Sequence, residues 1–333
     1  MKKNTGRYSG IGGQAVLEGI MMKNKEKYAV AVRTPEGTIA VDVQTYAGVG
    51  PKTKLKELPF IRGIFQFIDS MILGMRALNY SASFYEEEDG EEKDEKKESI
   101  IAVATTVVSF ILAIAIFMLL PYFISNYALK NVRNDSLVAI LEGVFRIIIF
   151  IVYILLISLM KDIKRTFQYH GAEHKCINCI EKGRPLTVED VMKSSRLHKR
   201  CGTSFILFVM LVSIILFFFI RVENPLLKVG LRILMIPLIS GVSYEIIRLA
   251  GRSNNLFVRI VSAPGMWLQR LTTREPDAEM VQVAIGAVEA VFDWKAYLKE
   301  AFGYEVDDSW LRSSDEALEE DLEEAEKAAA QTQ

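Results

Sequence analysis

The sequence predicts a mainly α-helical, polytopic membrane protein with a small β unit near its N-terminus. Half of its 333 residues are hydrophobic, and the apolar residues are concentrated in long runs. Four of these runs reach or approach the roughly 20 residues that a helix needs to cross a bilayer. They cover residues 100–124, 137–160, 204–220 and 226–250. Two short segments near the N-terminus instead alternate apolar and polar residues, which is the pattern of β-strands.

Residues 1–58 are predicted to form a cytoplasmic region that contains the β unit. Its strands, YAVAVR and TIAVDVQTY, are separated by TPEG, whose proline and glycine favour a turn. Residues 59–85 are helical and apolar but include Arg62, Asp69 and Arg76. We therefore expect an interfacial or re-entrant helix there rather than a fifth span. The charged run at 86–99 is expected to be an acidic linker.

The distribution of charge predicts the orientation of the chain. The connector at 161–203 holds ten Lys or Arg residues, whereas those at 125–136 and 221–225 hold two and one. Because cytoplasmic loops are enriched in basic residues, the long connector and both termini are expected in the cytoplasm. Residues 251–304 are predicted to form cytoplasmic interfacial and amphipathic helices, and 305–333 an acidic, disordered tail.

Charged residues inside the apolar runs are costly, so each is expected to be paired or to line a cavity. Glu142 and Arg146 lie one helical turn apart and are predicted to neutralise each other. Glu245 and Arg248 are predicted to form an intramembrane polar pair near the cytoplasmic end of the fourth run. The alternative prediction is that Glu245 acts as a metal ligand or as a proton acceptor. The other basic residues of that run are expected to reach the interface; they are Lys228 and Arg232.

All histidines and cysteines of the chain fall within 32 residues of the predicted cytoplasmic connector. They are His170, His174, Cys176, Cys179, His198 and Cys201. Imidazole and thiolate are the side chains that zinc-like ions prefer, so the cluster predicts a divalent metal site, with zinc as the expected ion. For any one of these residues a purely structural role is the commoner one. The odd number of cysteines argues against a disulfide framework.

One arrangement of the ligands is a closed structural zinc site. Cys176-x-x-Cys179 and His198-x-x-Cys201 would supply two pairs of ligands, with eighteen residues between the pairs. Tetrahedral sites of nitrogen and sulfur ligands commonly use such spacing.

The other arrangement is a catalytic site built on H-x-x-E-H at residues 170–174. On a helix, His170 and His174 share one face and reach the same ion, while Glu173 acts as general base, as in inverted zincin proteases. A third ligand would come from His198 or Cys201. A mixed site, in which one or two of His198, Cys201 and Cys179 join the two histidines, is a further alternative.

Five motifs occur in order along the chain: GGQAVLEGIMMK, LPFIRG, YHGAEHK followed by Asn178-Cys179, RLHKRCGTSF, and SYEIIRLAGR. Together they resemble the YqhQ-like family of bacterial membrane proteins over roughly residues 8–300. That family is of unknown function and is catalogued as predicted metal-dependent enzymes. The resemblance implies location in the bacterial inner membrane and supports a metal site, but it supplies no substrate.

Three functions are compatible with these patterns. The first is a metal-dependent hydrolase at the membrane surface, acting on a lipid headgroup or a membrane peptide. The second is a non-enzymatic scaffold or regulator with a structural zinc, and the third is a transporter that uses the intramembrane charges. The lipid bilayer is the expected partner, and a homo-oligomer is compatible with each function. A net charge of −1 gives no indication of a nucleic-acid partner.

Overall fold

The computed structural model describes residues 7–49, 57–85, 95–132, 134–220, 222, 224–252, 256–303 and 306, which are mainly helical. Four strands come first: β1 (Ile11–Val16), β2 (Gly19–Asn24), β3 (Lys27–Arg33) and β4 (Ile39–Thr45). The helices are α1 (Ile61–Ala82), α2 (Glu95–Ile114), α3 (Leu120–Ala128), α4 (Asp135–Ile157), α5 (Lys161–Glu181), α6 (Val188–Met192), α7 (Gly202–Phe218), α8 (Pro225–Leu234), α9 (Ile236–Arg252), α10 (Leu256–Thr272), α11 (Ala278–Val291) and α12 (Trp294–Phe302). A π-helical segment, Ala115–Leu119, joins α2 to α3.

The predicted N-terminal β unit is an antiparallel sheet with strand order β1-β2-β3-β4. Both faces of β3 are buried, since one packs with α11 in a core that α5 also lines and the other packs with α1. Ala29 and Ala31 belong to the first core and Val30 and Val32 to the second. The sheet is therefore a layer between helices, and it fixes the position of α5.

Among the described residues, fewer helices are long and apolar enough to cross a membrane than the four that the sequence predicts. Two described helical stretches are long and apolar enough, Val103–Ala128 and Ser136–Ile157. A bent pair, Leu226–Leu234 and Ile236–Ala250, would make a third if it forms one span. The remaining run gives α7, whose 17 residues extend only about 25 Å. That is shorter than the roughly 30 Å hydrocarbon core. A 40° bend interrupts the fourth run.

The long connector at 161–203, predicted as a loop, is instead largely structured. Its first half is α5, and a return segment, residues 193–201, leads back from α6 to the start of α7. The predicted helix at 59–80 is observed as α1, where Gly63 allows close contact with α9 because a Cβ there would lie 2.7 Å from Tyr244 Cβ. Much of the predicted linker and almost all of the predicted tail fall outside the described residues; these parts are 86–94, 305 and 307–333.

Candidate metal centre

Helix α5 places His170 and His174 on one face, one turn apart, with their ring centroids 4.3 Å from each other. Gly171 lies between them, where the backbone after α10 approaches α5 too closely for a larger residue. A Cβ on Gly171 would lie 2.0 Å from the carbonyl oxygen of Arg274. The Arg274 amide also donates to the Phe167 carbonyl over 2.8 Å, which fixes the segment after α10 against α5.

Cys201 comes to the two histidines from the start of α7. Its side chain caps that helix by accepting from the Thr203 amide, and its Sγ lies 3.1 Å from His170 Nε2. One ligand atom from each of His170, His174 and Cys201 lies within 4.8 Å of the other two. The structure therefore brings together three of the five metal ligands that the sequence predicted.

The hydrogen bonds of the two imidazoles determine which nitrogen faces the cluster. His170 Nδ1 lies 2.9 Å from the Thr272 carbonyl oxygen, and His174 Nδ1 lies 2.7 Å from that of Arg196. Because a carbonyl oxygen can only accept, each Nδ1 carries a proton and donates it. In the neutral imidazoles each Nε2 is then an acceptor. This outer hydrogen bond is the usual way in which proteins orient a metal-binding histidine.

Electrostatics in the cluster favours a thiolate. Burial would raise the pKa of the Cys201 thiol, but the His170 and His174 imidazoles outweigh burial and hold this pKa well below its usual value. Burial likewise would lower the pKa of His170, whereas the adjacent Cys201 raises it to about 9. Without a metal ion, the sulfur thus draws a proton onto an imidazole, as expected for a negative charge held beside nitrogen bases.

Glu173 is buried beside the three residues but is not one of the converging ligands. Burial raises the pKa of its carboxyl, and the two neighbouring histidines oppose that shift. One of its oxygens, Oε2, has no hydrogen-bond partner among the described residues. Its carboxyl carbon would lie 3.1 Å from a Cβ placed on Gly13, so the glycine lets β1 approach the carboxylate closely.

His198, a fourth predicted ligand, lies next to the cluster but faces another partner. Its ring centroid is 5.5 Å from that of His174, and its Nε2 is 3.7 Å from Glu181 Oε2. Burial would raise the pKa of Glu181, but His198 and Arg200 lower it to about 2. His198 is thus the partner of a buried carboxylate that Ser9 also contacts through its amide and hydroxyl.

Cys179, the fifth predicted ligand, lies outside the cluster. Its Sγ donates to the Pro185 carbonyl oxygen over 3.0 Å, and it belongs with Cys176 to the core between α5, α11 and the sheet. Burial raises the pKa of both thiols, so they are neutral and behave as small apolar side chains. The two Cys-containing pairs of the closed-site arrangement therefore do not converge.

The return segment is fastened by polar residues of the YHGAEHK motif region, a role that sequence reasoning missed. Lys175 Nζ donates to the carbonyls of Ser194 in the segment and of Met192 at the end of α6. Asn178 donates to the carbonyls of two further residues in the segment. Gln269 of α10 is fully buried and bonds both the amide and the carbonyl of His198. Backbone acceptors leave no sequence signal, so these roles emerge only from the fold.

Two further charged groups lie in the apolar helices. The predicted Glu142–Arg146 ion pair is present at 3.0 Å, and Arg232 joins it 2.8 Å from the same carboxylate. Arg232 is buried rather than extended to an interface. Glu245 pairs with Arg62 of α1, with Arg62 Nε 2.6 Å from Glu245 Oε1, instead of with Arg248.

Comparison with known proteins is consistent with the motifs. Residues 58–294 match the family described as "Protein of unknown function (DUF1385)". The chain is 37% identical over 286 residues to the "Uncharacterized protein YqhQ" of Bacillus subtilis (strain 168), covering 82% of this chain and 89% of that protein. No solved structure matches it significantly.

Proposed function

The chain belongs to the DUF1385 (YqhQ-like) family of unknown function, and we propose that it is a membrane protein with a resident divalent metal ion. His170, His174 and Cys201 are the proposed ligands, and zinc is the expected ion because imidazole and thiolate together suit it. Metal-dependent hydrolysis at the membrane surface is the proposed activity.

The main support for the metal proposal is the orientation of the His170 and His174 imidazole rings. Both donate their Nδ1 protons to backbone carbonyls, so both Nε2 lone pairs point toward one sulfur whose thiolate form is favoured. The three ligand atoms lie within 4.8 Å of one another. A positive charge must offset the thiolate there, and without a metal ion the proton drawn onto His170 does so. A divalent ion supplies that charge, and the outer carbonyls already hold the rings in the required orientation.

The number of converging ligands favours catalysis over a structural role. Structural zinc sites almost always have four protein ligands, whereas catalytic sites have three and keep one position open. Here three ligands converge, while His198 and Cys179 have other partners. When bound, the ion would supply Lewis-acid activation of water. Glu173, with a buried oxygen that lacks a partner among the described residues, would accept the proton from that water.

The scaffold alternative has one observation in its favour, the burial of the site. His174 is 1% exposed and Cys201 4% exposed, which suits a zinc that stabilises the fold. X-ray absorption at the zinc edge separates the two functions. Three protein ligands and one oxygen neighbour support the hydrolase, whereas four protein ligands support the scaffold.

The membrane part of the proposal rests on exposed apolar side chains. Along α2 and its extension, large hydrophobic residues are more than half exposed; they include Ile101, Val103, Val108 and Ile111. In water such a surface is unfavourable, and lipid would cover it. The basic connector that carries the site would lie on the cytoplasmic side of the bacterial inner membrane.

Elemental analysis of the purified protein tests the metal site. We expect stoichiometric zinc in the wild type and its loss in Cys201→Ser and in the His170→Ala/His174→Ala double variant. The matched control is Cys179→Ser, which removes a buried thiol that lies outside the cluster and should retain the ion. A metal-free wild type, or equal retention in all variants, would overturn the proposal.

A further inference from the structure

A surface groove of about 370 Å³ lies between the return segment and one face of α10. Leu197 and Lys199 form one wall. Arg259, Met266 and Arg270 contribute to the other, and their spacings of seven and four residues, about two turns and one turn, put them on one side of the helix. The groove is therefore built by elements that also hold the candidate metal centre.

The groove combines positive charge with apolar surface. Three of its lining residues are basic, and none of those that line it is Asp or Glu. In the described part of the chain, Arg259 and Arg270 make no ion pair with an acidic side chain. Such a site suits an anion.

The remaining surface indicates what the anion is attached to. Met266 and Trp267 line the groove, and Trp267 is 51% exposed. Toward the start of α10, Leu256 and Ile260 are more than 60% exposed. Tryptophan beside cations and aliphatic side chains is typical of a helix at the headgroup level of a bilayer. Free phosphate would make no contact with this apolar surface, whereas the glycerol and acyl chains of a lipid would pack against it.

The groove and the metal centre share a wall. The Arg196 carbonyl accepts from His174 on the metal side, while Leu197 and Lys199 line the groove. Gln269 of α10 fixes the intervening His198 backbone through two hydrogen bonds of 2.7 and 2.8 Å. A ligand held in the groove would therefore lie beside the candidate metal centre.

We infer that this groove binds the headgroup of an anionic phospholipid, with the phosphate on Lys199, Arg259 and Arg270 and the acyl chain along Met266 and Trp267. The inference also names anionic phospholipids as the substrate class of the hydrolase. That second step rests on the proposed function, whereas binding itself requires no metal.

Tryptophan quenching by brominated lipids tests the binding. The parent is Trp310→Phe, in which Trp267 is the exposed reporter and Trp294, at 3% exposure, is shielded. The full chain in nanodiscs of zwitterionic lipid receives brominated phosphatidylglycerol or brominated phosphatidylcholine in small amounts. We expect stronger quenching by phosphatidylglycerol, weakened by added salt, in both metal-loaded and Cys201→Ser protein.

A charge-matched pair of variants separates the groove from general surface charge. Lys199→Gln/Arg259→Gln/Arg270→Gln should weaken phosphatidylglycerol binding roughly a hundredfold, at about fivefold for each cation near an anionic surface. The control removes three exposed lysines elsewhere, with the substitutions Lys27→Gln, Lys161→Gln and Lys164→Gln, and should retain most of the affinity. Circular dichroism identifies any variant that fails to fold, and Arg259→Lys/Arg270→Lys, which keeps the charge, should then restore binding.

Three outcomes would overturn the inference. The first is equal quenching by the two lipids. The second is an equal loss of phosphatidylglycerol binding in the groove and control variants. The third is full competition by millimolar inorganic phosphate, which would indicate a site for the free anion. Because quenching is measured with and without the metal ligand Cys201, a metal-free wild type would refute the proposed function without affecting this result.

Discussion

Replacing Gly171 by alanine tests the packing that holds the candidate metal centre together. In an open helical position this change stabilises a protein by up to about 1 kcal/mol, since glycine is a poor helix former. At Gly171 the new Cβ would lie 2.0 Å from the Arg274 carbonyl oxygen and must move to at least 3.0 Å. Because that atom belongs to backbone, α5 and the segment after α10 have to separate.

The size of the effect follows from these distances. Overpacking of this kind costs about 1–3 kcal/mol, and a fixed backbone acceptor favours the upper end. After the gain in helix propensity, we expect a net loss of about 1–2 kcal/mol. Separation also strains the 2.9 Å hydrogen bond from His170 to Thr272, which orients the ring. Loss of such an outer contact weakens metal affinity by about 10–100-fold.

Thermal unfolding in detergent and zinc competition with a chelator measure the two effects. Gly286→Ala is the matched control, because a Cβ there meets nothing within 4 Å in the middle of α11. We expect the unfolding midpoint to fall for Gly171→Ala and to rise slightly for Gly286→Ala. If both variants are more stable than the wild type and hold zinc equally well, the close approach at Gly171 is refuted.

Three further changes have distinct expected outcomes. Glu142→Gln should destabilise the protein by about 3–5 kcal/mol, because it leaves Arg146 and Arg232 buried without a charged partner; an unfolding midpoint close to that of the wild type would contradict this. Glu173→Gln should retain zinc by elemental analysis, since its carboxylate is not one of the three converging ligands; loss of the ion would make it a ligand instead. Asn178→Ala removes two hydrogen bonds to the return segment and should expose that segment to limited proteolysis, whereas an unchanged digestion pattern would show that other contacts suffice.

Much of the fold could be predicted from local patterns. The alternation in YAVAVR and TIAVDVQTY predicted β3 and β4, and the apolar runs predicted helices. The count of four spans was wrong because hydropathy measures composition, whereas crossing a membrane also depends on length and straightness. Helix α7 is too short, and the bend between α8 and α9 divides another run. The bend also lies close to Arg232, which the sequence assigned to an interface.

In the candidate site too, contacts between residues close in sequence could be predicted, whereas contacts that depend on the fold could not. The pairing of His170 with His174 follows from the period of one helix, so H-x-x-E-H was sufficient to predict it. The choice of Cys201 over Cys179 depends on how the return segment folds back, which no spacing rule specifies. The backbone carbonyls of Arg196 and Thr272 could not be predicted, because every residue has one. These two nevertheless determine which nitrogen each histidine presents to the cluster.

The sheet and α11 share one core although they lie at opposite ends of the chain. Ala31 of β3 and Val281 of α11 belong to that core, roughly 250 residues apart. At ribosomal rates of about 5–20 residues per second, α11 is synthesised about 12 to 50 s after the strand that it covers. All the apolar helices are synthesised within that interval. The sheet is therefore made before the apolar helices, but the core that it shares with α11 is completed only after them.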